Sequence, residues 1–225
     1  MRKIVAGLIL FGIPFGYLQA TIASYIRSAY VTAHERYHGP AVAQAGVFPL
    51  LTIQQLSEAG VIHLLAIEIG REAMSLGMIG AAAFTAGRTY RESVAAFAVG
   101  FGIWQIAFYA FLNLLTGWPQ SLLDWDLLFL IPAPWTAPIL APLLLSLALI
   151  WCGVHFIQRE WSPIPIRIRV KDRRLLMASG VVVALAFLSQ AANAASGQAP
   201  GGFLWPLLAA GLALGVGTFS VAARR

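Results

Sequence analysis

The sequence predicts an all-α polytopic membrane protein, a bundle of about six transmembrane helices built as one domain over residues 1–225. Three observations predict it. Of 225 residues, 59% are hydrophobic and 11% are charged, against about 45–50% and about 25% in a soluble domain. Mean hydropathy is +0.77, an excess of apolar surface that has to face lipid. Several apolar runs also reach the roughly 20 residues that cross a hydrocarbon core.

The first run covers residues 4–26, behind Arg2 and Lys3. It is longer than the apolar region of a signal peptide and is expected to remain as a helix. A polar segment, 27–58, follows. The second helix is expected over 60–86 and the third over 93–115. Residues 127–142 are apolar but contain Pro132, Pro134, Pro138 and Pro142, a density that disfavours a regular helix through the first half. Residues 127–135 therefore read as a short interfacial or re-entrant segment on the external side, leading into a fourth helix over 138–157. The fifth and sixth are expected over 175–195 and 203–223.

Basic residues fix an orientation. Arg2, Lys3, Arg88, Arg91, the six cations of 159–174, Arg224 and Arg225 all fall on one side of a six-helix chain. The opposite side holds only Arg27 and Arg36. The positive-inside rule then places both termini in the cytoplasm, with the inner membrane of a bacterium as the expected location. This distribution explains the net charge of +6, and no nucleic-acid-binding motif accompanies it. From Ile166 to Lys171 apolar and basic residues alternate. In an extended chain Ile166, Ile168 and Val170 share one face, while Arg167, Arg169 and Lys171 face anionic lipid.

The most informative feature is Glu68-Ile-Gly-Arg71-Glu72 inside the second helix. A charge near a helix centre costs about 2.5–3.5 kcal/mol on insertion scales, so three require compensation. Offsets of three and four put Glu68, Arg71, Glu72 and Ser75 on one face. That face is expected to turn into the bundle toward Gln19, Gln105 and Tyr109, forming an intramembrane polar site. Two carboxylates against one guanidinium leave a formal charge of −1, so a glutamate keeps a proton, or a cation, substrate or partner chain neutralises it.

His34-Glu35-Arg36-Tyr37-His38 matches HExxH, the pattern by which two histidines one turn apart hold zinc while the glutamate activates its water. Glu58 and His63 are candidate third ligands. Against this reading, Gly39-Pro40 shortens the helix that would present both histidines. A haem is disfavoured, because His63 and His155 fall at opposite membrane faces. With one cysteine, Cys152, the chain builds no disulfide and no thiolate metal site by itself. Gly77 with Gly80, and Gly211 with Gly215, are expected to mark close helix packing.

Three classes of function are consistent with these features. The first is a small transport or ion- or proton-coupling protein using the Glu-Arg-Glu site, with no catalytic residue. The second is a non-catalytic subunit of a larger, for example respiratory, membrane complex. The third is a metal-dependent hydrolase using HExxH.

Overall fold

The computed structural model describes residues 2–39 and 48–225. Residues 40–47, part of the expected polar segment, lie outside the described residues. The chain is mostly helical (74%). Its elements are α1 (Arg2–His38), α2 (Ile53–Glu58), α3 (Ile62–Ala86), α4 (Tyr90–Thr116), β1 (Trp125–Phe129), β2 (Trp135–Pro138), α5 (Leu140–Glu160), α6 (Val170–Leu188), α7 (Ala191–Ala195) and α8 (Trp205–Ala223). Four of them, α1, α4, α5 and α8, are long and apolar enough to cross a membrane. The remaining two long helices carry charge, α3 at Glu68, Arg71 and Glu72, and α6 from Lys171 to Arg174.

Local chemistry sets the boundaries. Hydropathy drops after Ile26, yet α1 continues to His38, because nothing from Arg27 to His38 breaks a helix. Gly39, at φ +83°, stops it, with its N–H donating to the Glu35 carbonyl at 2.9 Å. The short helix expected to weaken HExxH is thus corrected to the last turns of a 37-residue helix. Thr52 and Gln55 form a capping box for α2. Thr89 caps α4, and Gly117, at φ +71°, ends it. The Asp172 carboxylate accepts from the Arg169 N–H at 3.0 Å and starts α6 at Val170, earlier than hydropathy alone suggests. Ile166 is buried and Ile168 packs on the same cluster. Val170 does not join that face, because it already lies in the first turn of α6.

The proline-rich segment forms a β-hairpin, among the described residues the one departure from an all-α chain. Trp125, Asp126, Leu127 and Phe129 pair with Pro138, Ala137, Thr136 and Trp135, with a bulge between Leu127 and Phe129. Aromatic and branched residues favour the strands, and Pro132 and Pro134 fall in the connecting turn. The bulge divides the hairpin between two environments. Trp125 and Leu128 pack with Phe187 and Phe203 of the α6–α8 side, whereas Phe129 joins Phe15, Ile79 and Trp104 of the α1–α3–α4 side.

The helices associate through small residues. A Cβ on Gly16 would stand 2.6 Å from Ala107 Cβ and 2.9 Å from the Phe108 nitrogen, so α1 crosses α4 there. Gly211 and Gly215 press on Val183 and Ser179 of α6, but Gly77 and Gly80 face no atom within 4 Å. That part of the packing expectation is corrected. On Gly153 a Cβ would meet Val99 Cγ2 at 2.6 Å and the Ala95 carbonyl oxygen at 2.7 Å. Because backbone cannot yield as a side chain does, Gly153→Ala is expected to separate α4 from α5 and destabilise by about 1–3 kcal/mol. A thermal midpoint in detergent unchanged from wild type would contradict this.

One end of the bundle gathers the basic segments. Arg91 pairs with Glu160 at 3.1 Å and donates to the Ile166 carbonyl. Arg159 donates to the Ala223 carbonyl, Arg225 pairs with Asp172, and Arg88 lies 3.5 Å over the Trp161 ring. The hairpin and Arg27 occupy the opposite half.

Candidate functional site

Between α1, α3, α4 and the hairpin lies a cavity of about 440 Å³. It runs from Arg71 and Ser75 on α3 to Thr116, the last residue of α4, and Trp118 beyond it. Its charged lining is Arg27, Glu68, Arg71, Glu72 and Asp126.

Arg71 is the organising cation. Its Nε donates to Glu68 Oε2 at 2.9 Å and its Nη2 reaches Glu68 Oε1, a two-pronged pair three residues apart on one helix. Its Nη1 crosses to the Gln19 carbonyl oxygen on α1. The Gln19 amide in turn donates to Ser75 Oγ at 2.9 Å, and Ser75 donates to the Arg71 carbonyl at 2.6 Å. This closed circuit joins α1 to α3 and engages all three guanidinium nitrogens. Gln19 is 4% exposed and Ser75 2%, so each polar atom in the circuit needs the partner it has.

A second ion pair comes from the hairpin. Asp126 accepts from Arg27 at 3.0 Å and from the Tyr109 hydroxyl at 2.9 Å, while the Arg27 guanidinium lies 3.9 Å over Trp118. Asp126, in an apolar strand, is buried.

Glu72 differs from both. Arg71, one residue before it, points to Glu68, and the partner that Glu72 has is the Leu130 backbone N–H, donating at 2.8 Å. Leu130 begins the hairpin turn. Glu72 lies ten residues beyond Ile62, about 15 Å into the helix at 1.5 Å rise per residue, so the hairpin tip reaches deep between the helices. Glu72 satisfies one of the free backbone amides of the hairpin turn. Glu72 is 3% exposed. Three carboxylates line this cavity against two guanidiniums, and both guanidiniums are engaged elsewhere. The surplus charge belongs to Glu72.

Of the residues singled out in the sequence, Gln19, Glu68 and Arg71 share the circuit, while Glu72, Gln105 and Tyr109 line the cavity. Sequence reasoning did not assign Arg27, Asp126 or Leu130 to the site. The signal for Asp126 was a lone acid leading an apolar run, Trp125 to Ile131.

The histidine constellation is less complete. The His34 and His38 rings lie 4.9 Å apart between centroids, tilted by 58°, but His34 Nε2 donates to the Pro49 carbonyl at 2.7 Å. Glu58 accepts from Tyr37 at 3.0 Å and from Gln54 at 2.8 Å, hydrogen bonds that hold its carboxyl below the usual carboxylate range. His63 is exposed on the first turn of α3. Among the described residues no three His, Cys, Asp or Glu side chains stand close enough to hold a metal ion.

No protein-family model, curated protein or solved structure matches the chain. Several apolar helices and buried charged pairs are compatible with a membrane protein. The chemistry available in the cavity is that of a desolvated carboxylate beside aromatic rings, able to accept a proton or attract a cation.

Proposed function

We propose that this chain is a small transport or ion-coupling membrane protein whose intramembrane site, centred on Glu72, takes up a proton or a cation. The observation that carries this reading is the surplus carboxylate: Glu68 and Asp126 each have a guanidinium, whereas Glu72 has one amide. A carboxylate buried as an anion with no guanidinium bonded to it is costly, so the site favours a state in which further positive charge arrives.

In this reading six helices cross the membrane: α1, α3, α4, α5, α6 and α8. The helix α3 is 25 residues long, about 37 Å, and its charges face protein. The ends bearing Arg88, Arg91, Arg159, Arg224 and Arg225 lie in the cytoplasm with both termini, as the positive-inside rule requires, in a bacterial inner membrane. The hairpin enters from the other side as a re-entrant element. The exposed Arg167, Arg169 and Lys171 lie against anionic lipid, each contributing about 1 kcal/mol.

The test uses purified protein in liposomes holding a pH-sensitive dye, under an imposed proton gradient. Wild type is expected to dissipate the gradient faster than empty liposomes, and Glu72→Gln to fall to the empty-liposome rate. Glutamine keeps a carbonyl oxygen for the Leu130 N–H, so this variant retains the hairpin contact and loses only the charge. Equal fluxes in wild type and Glu72→Gln would reject the proposal. Glu72→Leu removes the acceptor as well, and leaving a buried N–H unpaired is expected to lower stability by about 1–3 kcal/mol, a cost that glutamine avoids.

A further inference from the structure

We infer that the cavity binds a small organic monocation with an aromatic or aliphatic body, its cationic head set against Glu72. This rests on the placement of the occupant at Glu72 proposed above and specifies its class.

Charge gives the first constraint. Arg27 and Asp126 neutralise each other, as do Arg71 and Glu68, so the occupant that balances the site carries one positive charge. Size gives the second. A cavity of about 440 Å³ lies within the roughly 300–1,000 Å³ range of small-molecule pockets, whereas a water molecule takes about 30 Å³. A bare ion would leave most of it unfilled.

The wall chemistry gives the third. Trp104 lies 6.3 Å from Phe108 and 6.4 Å from Phe129 between ring centroids, and all three line the cavity. Phe129 directly precedes Leu130, whose N–H holds Glu72, so the aromatic wall begins one residue from the carboxylate. Ring faces attract cations, and quaternary ammonium groups are recognised by such surroundings. An organic ammonium sheds little hydration and gains contact with the rings.

The experiment titrates the purified full chain calorimetrically with benzyltrimethylammonium, phenylacetate and sodium in turn. Saturable one-site binding of benzyltrimethylammonium is expected, with phenylacetate and sodium at least tenfold weaker. Glu72→Gln should weaken benzyltrimethylammonium at least tenfold, and Phe129→Leu severalfold while preserving the carboxylate. Comparable binding of sodium or phenylacetate, no saturable binding of the ammonium, or affinities within twofold of wild type in both variants would overturn the inference. Proton flux dependent on Glu72 without ammonium binding rejects this inference and leaves the transport reading standing. Ammonium binding at Glu72 without flux rejects the transport reading alone.

Discussion

Replacing Arg71 with methionine is expected to destabilise the protein by about 3–5 kcal/mol, the range for removing one partner of a buried ion pair. Methionine fills much of the same volume, so the loss reflects charge rather than a void. It leaves Glu68 without its two-pronged partner and the Gln19 carbonyl oxygen without its donor. Both side chains of the pair keep some exposure to the cavity, 17% for Arg71 and 18% for Glu68, which places the effect toward the lower end. The readout is the thermal midpoint and the monodisperse fraction in size exclusion. Arg71→Met combined with Glu68→Gln should recover a substantial part, because no unpaired anion then remains at that position. A single variant as stable as wild type would mean that the circuit holds nothing together.

The second large effect is expected at the hairpin anchor. Asp126→Leu should destabilise by about 3 kcal/mol, since it strips two hydrogen bonds at once and leaves the buried Tyr109 hydroxyl without its acceptor. Arg27 suffers less, being 31% exposed and stacked on Trp118. The amide of Asp126→Asn can still accept from Tyr109, so this variant should fall between wild type and leucine. If asparagine and leucine proved equally damaging, the Arg27 pair rather than the Tyr109 hydroxyl would set the cost. Loss of Glu72-dependent flux is expected to accompany Asp126→Leu, as the same hairpin carries Leu130.

The helical part of the fold was legible because hydropathy and helix propensity agree over most of the chain. They part company at α1. Hydropathy falls near Ile26, whereas the helix ends where a residue forces it to, at Gly39. The Glu68–Arg71 contact was legible because three-residue spacing on one helix fixes which side chains meet. The partner of Glu72 was not, since Arg71 is its immediate neighbour and does not face it on the helix, and a third element supplies the amide it accepts from. That element, the hairpin, was hidden for a related reason. Proline density says what a segment is not, and the pairing of Asp126 with Arg27 joins residues 99 positions apart, beyond any local pattern.

The contact between Glu72 and Leu130 also constrains how the molecule is made. The two residues are 58 positions apart, with all of α4 between them, so α3 emerges from the ribosome well before its carboxylate can meet that amide. Were α3 inserted in a membrane, as proposed above, a helix bearing two acids and one arginine would spend that interval without the amide. Transient neutralisation of Glu72 by a proton, or shelter beside α1 through Gln19, would bridge the delay. In that reading the segment after α4 closes a cleft that α1, α3 and α4 already line.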